Sequence, residues 1–512
     1  MKTRNPFQEV RSLYPGRSVF DLSYEKKFTC DMGQLIPIQC DEVVPGDVLS
    51  IGNQMVVRFQ PLVAPIMHEI NAYCHYFFVP YRILWDEWED FITGGVDGDD
   101  ASVLPTWNPT NTAIGSLWDY LGFPTGIVPT GALPIDFVRR AYNRIYNEYY
   151  RDENLITEVD ETSEIILNRC WEKDYFASAL PWQQRGTAPA LPISGVTNAE
   201  WSGDLTLNNQ ALTWPAINSG STPVYSDAGG GAPGNATSRN LLLQGKANVV
   251  IPKASLNNNV IDFADAATFN VADLRLAFQV QKWMERNARA GARYTEFLKA
   301  HFGVSPRDDR LQRPEYIGGT KNSVVVSEVL QTSSTDATTP QGNLAGHGLV
   351  AGQGFAAKYH VQEYGLIMGI MSIMPRTAYT QGIDRQWLRR SRFDFYSPEF
   401  ANLSEQAIER VEIYATGVEA ENRAIFGYQG RYDEMRVKRS QVCGLMRTDF
   451  NYWHLGRIFS SAPALNETFV KCVPSKRIFA VESEPGLVCN VNNIIKAIRP
   501  LPIQSDPGYI DH

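Results

Sequence analysis

Residues 69–81, EINAYCHYFFVPY, constrain the fold most. One parity of this stretch is apolar (Tyr73, Phe77, Val79) and the other is mixed. A strand with no face that prefers water needs packing on both sides. It closes a series of similar segments, SYEKKFTC, GQLIPIQ and QMVVRFQ, rich in aromatic and β-branched residues and separated by PGD at 45–47 and by proline-bearing turns. Strands resume after residue 322 with SVVVSEVLQ, FAAKYHVQ, the glycine-interrupted YGLIMGIMSIM and RVEIYAT. With 512 residues, the chain exceeds what one simple core supports. One β-sandwich with long excursions fits that length.

The excursions differ in kind. A helix is expected from near Pro134 to about Arg151, with Phe137, Ala141, Ile145 and Tyr149 at four-residue steps. A second helical stretch spans 270–302, with Asn270 as its cap and Gly303 as its stop. Between them, residues 187–262 hold seven charged residues and are crowded with Gly, Ser, Asn, Thr and Ala, as in DAGGGAPGNATS. That composition reads as a surface excursion, with Trp201, Trp214 and Tyr225 either holding it together or displayed on it. The organisation expected is an arm over 1–23, a first strand-bearing part over 24–186, the insertion over 187–262, and the remaining helices, strands and an extended C-terminal segment over 263–512.

Net charge is −9, unevenly placed. Residues 1–250 carry 17 Lys and Arg against 29 Asp and Glu, whereas 251–512 carry 30 against 27. A uniformly basic nucleic-acid binder is excluded, and a protein with one basic face is allowed. The seven cysteines form no C-x-x-C pair, so they read as reduced buried thiols. No secretory leader is legible and no apolar run reaches the roughly eighteen residues of a membrane span, so cytosol-like conditions are expected.

Chemistry-bearing motifs fail on inspection. His68-Glu69 starts a zinc-protease-like string, but position 72 is Ala. GHGLVAGQG at 346–354 spaces its glycines like a nucleotide loop without a following G-K-[ST]. The acidic run WDEWEDFITGGVDGDD lacks the glutamate that closes a calcium loop, and reads as a solvated acidic loop with no metal assigned. No catalytic residue, metal or cofactor is expected.

The stretch 423–469, RAIFGYQGRYDEMRVKRSQVCGLMRTDFNYWHLGRIFSSAPALNETF, mixes aromatics with Arg and Lys and follows neither period. It reads as an extended segment pinned by scattered aromatic anchors, suited to neighbouring subunits or polyanions. FGYQGRYDEMRVKRSQVCGLMR, WHLGRIF and PALNETF resemble the C-terminal part of microvirus major capsid proteins, especially the gokushovirus branch. The resemblance continues through AYNRIYNEYYRDENL, DYFASALPWQQRG, ARYTEFLKAHFGV and RLQRPEYIGG, and covers nearly all of the chain outside 187–262.

That resemblance implies a mainly β fold, an eight-stranded antiparallel jelly roll whose inter-strand insertions contain helices. It implies a structural, non-enzymatic protein forming a T=1 icosahedral virion shell of about sixty copies around circular single-stranded DNA. It further implies assembly in the bacterial cytoplasm with an internal scaffolding protein, a minor DNA-pilot protein and a small DNA-binding protein. The 187–262 insertion would form threefold protrusions that meet a host-cell surface receptor. Candidates for facing DNA are Arg436, Lys438 and Arg439, together with Lys2, Arg4 and Arg11 of the arm; inter-subunit ion pairs are the alternative role for each. The competing reading is a monomeric β-sandwich that binds or acts on carbohydrate.

Overall fold

The computed structural model describes residues 16–189, 196–198, 205–208, 212–213, 240–241, 248–251, 260–262, 271–291, 293–330, 332 and 344–504. Lys2, Arg4, Arg11, Trp201, Trp214, Tyr225 and the expected cap Asn270 lie outside them. Residues Gly186–Trp283 form one compact unit and the rest of the described chain another.

The larger unit is built on two antiparallel sheets. Its strands are β1 (Ser18–Asp21), β2 (Tyr24–Cys30), β3 (Ile36–Val43), β4 (Val48–Phe59), β5 (Ile70–Pro80), β6 (Glu315–Ser323), β7 (Val325–Leu330), β8 (Leu344–His360), β9 (Gly365–Pro375) and, after a long insertion, β12 (Leu487–Arg499); the insertion itself holds β10 (Glu405–Glu409) and β11 (Ile425–Gly430). The first sheet runs β1–β12–β4–β8–β7, with β2 continuing the β1 edge along β12. The second runs β6–β5–β9–β3. Successive strands β2 to β5 alternate between the sheets, β6 and β8 straddle them, and the last strand returns beside the first. That connectivity is a jelly roll.

Between the sheets, Ile51, Met55 and Val57 of β4 and Val491 and Ile495 of β12 meet Cys74, Tyr76 and Phe78 of β5 and Ile367, Met371 and Ile373 of β9. The other face of the second sheet is also covered. Phe77 and Val79 of β5 and Met368 and Ile370 of β9 pack against Trp107, Trp118 and the helix α1 (Phe137–Ile145). The strand that the sequence marked as packed on both faces is therefore buried along its length apart from the half-buried His75. Each such fully buried large side chain contributes on the order of 1.5–3 kcal/mol of transfer free energy.

Helix α1 starts later than the proline suggested and continues as a π-helical turn, Tyr146–Tyr150. The second helical stretch is two helices, α2 (Val271–Ala290) and α3 (Tyr294–Phe302), and Gly303 ends the latter in the left-handed conformation, φ 70°. The glycine string at 346–354 is not a loop at all. It lies in β8, where a Cβ on Gly348 would sit 2.7 Å from the Phe59 ring and one on Gly352 2.3 Å from Asn322. Close approach of neighbouring side chains explains those glycines.

In the smaller unit, Val196–Asn198 pairs with Val260–Asp262, Leu205–Asn208 with Asn248–Ile251, and Leu212–Thr213 with Asn240–Leu241, all antiparallel. The pairs nest, so the chain runs out and returns along itself.

Candidate assembly surface

The connection from β9 to β12, residues 376–486, folds as a lobe whose core it shares with Ile156, Tyr175, Phe176 and Ala179. β10 and β11 pair antiparallel, and residues 378–379 take a short parallel pairing with 440–441. The expected strand RVEIYAT is a correction: its first three residues form a 3-10 turn and the strand precedes it. The cause is Glu412. Its buried carboxylate accepts from the Glu409 N–H at 3.0 Å, which bends the backbone out of the ladder.

Aromatic anchors do hold the 423–469 stretch, in short pieces rather than one extended run. Phe426 and Phe469 are 5.1 Å apart edge to face, and Phe176, from the segment after α1, contacts Tyr379 at 4.9 Å and Phe426 at 6.0 Å. The Arg457 guanidinium lies 4.0 Å from the Phe469 ring centre and donates to the Phe469 carbonyl at 2.7 Å. Ion pairs brace this core. Arg385 binds Glu412 at 2.8 Å, and the Tyr175 hydroxyl donates to the same carboxylate at 3.0 Å. Burial pushes the Glu412 carboxyl above its ordinary range, against the pull of Arg385. Arg390 clasps Glu409 with two bonds of 2.8 and 2.7 Å.

The three basic candidates of this stretch divide. Arg436 is exposed and pairs with Asp433 one turn away. Lys438 is exposed and reaches the Gln386 side chain at 3.2 Å. Arg439 turns inward, donating to the Glu412 carbonyl with its guanidinium 5.3 Å from the Phe176 ring centre.

Beside them lies a surface that the sequence reading did not single out. Trp387, Phe393, Phe395 and Tyr396 are exposed by 76%, 52%, 59% and 54%. Two of these rings have ring partners, Phe393 with Phe400 at 6.0 Å and Tyr396 with Tyr432 at 5.2 Å, and the Tyr432 hydroxyl donates to the Phe395 carbonyl at 3.0 Å. Arginines interleave them, Arg392 over Phe393, Arg389 over Phe395 and Arg431 between Phe400 and Tyr432. Exposed rings alternating with guanidinium groups are the composition of protein–protein contact cores. The signal is present in RQWLRRSRFDFYSPEF, where arginines alternate with large aromatics.

Three of the histidines serve the scaffold. His75 is 2.9 Å from the Tyr150 hydroxyl and stacked on its ring, His68 meets the Arg376 carbonyl at 2.6 Å, and His454 accepts from the Gly456 N–H at 2.9 Å. A cavity of about 870 Å³ is lined by paired ions and tyrosines, including Arg293 between Glu153 and Glu296.

A jelly roll carrying a ring-and-arginine surface agrees with the comparison to known proteins. Residues 8–509 match the family described as capsid protein (F protein). The chain belongs to the phage capsid protein family. Among its relatives, the capsid protein VP1 of Chlamydia phage 1 is 34% identical across 99% of this chain and 98% of its own length. The VP1 capsid protein of Bdellovibrio phage phiMH2K is 33% identical, covering 91% and 90%. That of Spiroplasma virus 4 is 30% identical, covering 96% and 95%. The microvirus resemblance read from the sequence blocks therefore holds along the whole capsid protein, and its role is that of a structural major capsid subunit.

Proposed function

We propose that this capsid protein closes, in about sixty copies, a T=1 icosahedral shell around circular single-stranded DNA. The observation that carries the reading is the run of exposed rings interleaved with arginines on a firmly folded lobe. A monomer gains nothing by exposing Trp387, Phe393, Phe395 and Tyr396 together, whereas a subunit that buries them against a neighbour gains apolar burial and ring–guanidinium contacts. Arg436 and Lys438 are accessible phosphate contacts in this reading; Arg439 is committed to Phe176 and Glu412. The arm with Lys2, Arg4 and Arg11 would add further cations. The 187–262 insertion, with Trp201, Trp214 and Tyr225, would project as a protrusion toward the host-cell receptor. Assembly would take place in the host cytoplasm with the internal scaffolding protein, the DNA-pilot protein and the small DNA-binding protein.

Sedimentation of the protein from an infected or co-expressing bacterium, with electron microscopy of the fastest fraction, tests this. Uniform isometric particles holding nuclease-protected single-stranded DNA are expected. Only small species in the presence of the assembly partners would return the carbohydrate-binding sandwich.

A further inference from the structure

The first sheet has an outer face that the described chain leaves uncovered, and strand register fixes its composition row by row. Across β8, β4, β12 and β2 the outward residues run Leu349–Arg58–Val488–Thr29, then Ala351–Val56–Asn490–Lys27, then Gln353–Gln54–Asn492–Glu25. Next come Phe355–Gly52–Ile494 and Lys358–Ser50–Lys496–Asp21. Apart from the buried Gly52, each of these residues is at least partly exposed, and Phe355 is 67% exposed.

The chemistry of this grid is specific. It carries four cations, Lys27, Arg58, Lys358 and Lys496, and two acids, Glu25 and Asp21, in a chain whose net charge is −9. Glu25 is paired with Lys27 at 2.5 Å, and Asp21 sits opposite Lys496 in the register. Arg58 and Lys358 have no ion-pair or hydrogen-bond partner among the described residues. A row of carboxamides, Gln353–Gln54–Asn492, crosses between the two unpaired cations, with Phe355 beside it. Toward the Arg58 end the face deepens into a groove of about 520 Å³, floored by Val56 and Val488, walled by Ile114, and bordered by Lys27 and Arg58. Its carboxylate, Asp119, is engaged by the Gly115 N–H at 2.8 Å.

Resting on the reading of the particle as a shell for single-stranded DNA, we infer that this uncovered sheet face is the surface that meets the packaged strand. Arg58, Lys358 and Lys27 take phosphates, the carboxamide row takes base edges, and Phe355 with the apolar groove takes bases. A second copy of the chain fits the face poorly, because two such faces would set like charges against each other and Phe355 is the single aromatic on it. The ring-rich lobe supplies subunit contacts instead.

Ultraviolet crosslinking of purified DNA-filled particles, followed by nuclease digestion and peptide mass spectrometry, tests the inference. Nucleotide adducts on peptides from β4, β8 and β12, Phe355 foremost, are expected. Filled particles whose adducts are confined to other peptides, those containing Arg436 to Arg439 included, overturn it while leaving the capsid reading intact. Particles without protected single-stranded DNA overturn both. The double variant Arg58→Glu, Lys358→Glu should still close shells, with the ratio of filled to empty particles falling several-fold. Should charge reversal block closure, Arg58→Gln with Lys358→Gln gives the same reading, and filling equal to the parent's overturns the inference. Arg58→Lys with Lys358→Arg should retain filling.

Discussion

The two sheets of this jelly roll are alike in topology and opposite in use. The central strands of the β6–β5–β9–β3 sheet, β5 and β9, are buried on both faces, beneath α1 and the tryptophans Trp107 and Trp118 on one side and against the partner sheet on the other. The β12–β4–β8 sheet is buried on one face only, and its other face is a mixed grid of cations, amides, two acids, aliphatic side chains and one phenylalanine. A strand of β5 has no residue to spare for recognition, since each side chain fills a core. Every second residue of β4, β8 and β12 is free of that duty. The fold therefore separates stability and contact onto different sheets.

That separation can be broken most sharply at equivalent phenylalanines. Phe77→Ala, on the outer face of β5, should cost about 3–5 kcal/mol because its cavity lies within a packed aromatic cluster. Chemical denaturation of the isolated subunit reads this; a loss near zero would mean the α1 layer is not part of the folded core. Comparable in size, Arg385→Ala in the C-terminal lobe should cost about 3–5 kcal/mol by leaving the Glu412 carboxylate buried without its partner. Arg385→Ala combined with Glu412→Gln should recover part of that loss, which a double-mutant cycle measures.

The covered sheet also carries a titratable group. Burial beneath Tyr150 and Tyr316, followed by the nearby Arg169, lowers the His75 pKa from 6.5 to about 4. The unfolded chain binds that proton more readily, so this contribution is present above pH 6.5 and is lost as pH falls toward 4. The loss amounts to at most about 3 kcal/mol at 1.36 kcal/mol per pKa unit. In His75→Gln the drop in melting temperature between pH 7 and pH 4.5 should shrink; an unchanged drop would place the acid sensitivity elsewhere.

Smaller effects on stability are expected where the chain meets other molecules. Trp387→Ala and Phe395→Ala should change subunit stability by under about 0.5 kcal/mol and still reduce particle yield strongly, seen by sedimentation. Smallest of all is Phe355→Ala on the uncovered sheet, again under about 0.5 kcal/mol. A cost like that of Phe77→Ala would show that something covers this face.

Much of this was legible in the residues. The two-sided burial of β5 followed from one apolar and one mixed parity, with no face that prefers water, and α1 from apolar residues one turn apart. Strand β12 was not legible, although it stands at the centre of its sheet between β2 and β4. Its sequence, LVCNVNNIIKAIR, points Asn493 into the core and Ile494 outward, which blurs the alternation a reader relies on. Asn493 is tolerated there because it donates to the Ile38 carbonyl at 2.9 Å, a partner 455 residues away in sequence.

The sequence by itself determined the family, the sandwich, and the supply of cations and aromatics near the C-terminus. Tertiary structure alone decided which of them face outward. Arg436 and Arg439 are three residues apart and chemically identical, yet one guanidinium stands in solvent and the other lies on Phe176 beneath the lobe. Composition sets which groups exist. Whether a charge is free to meet a partner depends on which neighbour the fold brings within bonding distance, and for Arg439 that neighbour is the carbonyl of Glu412.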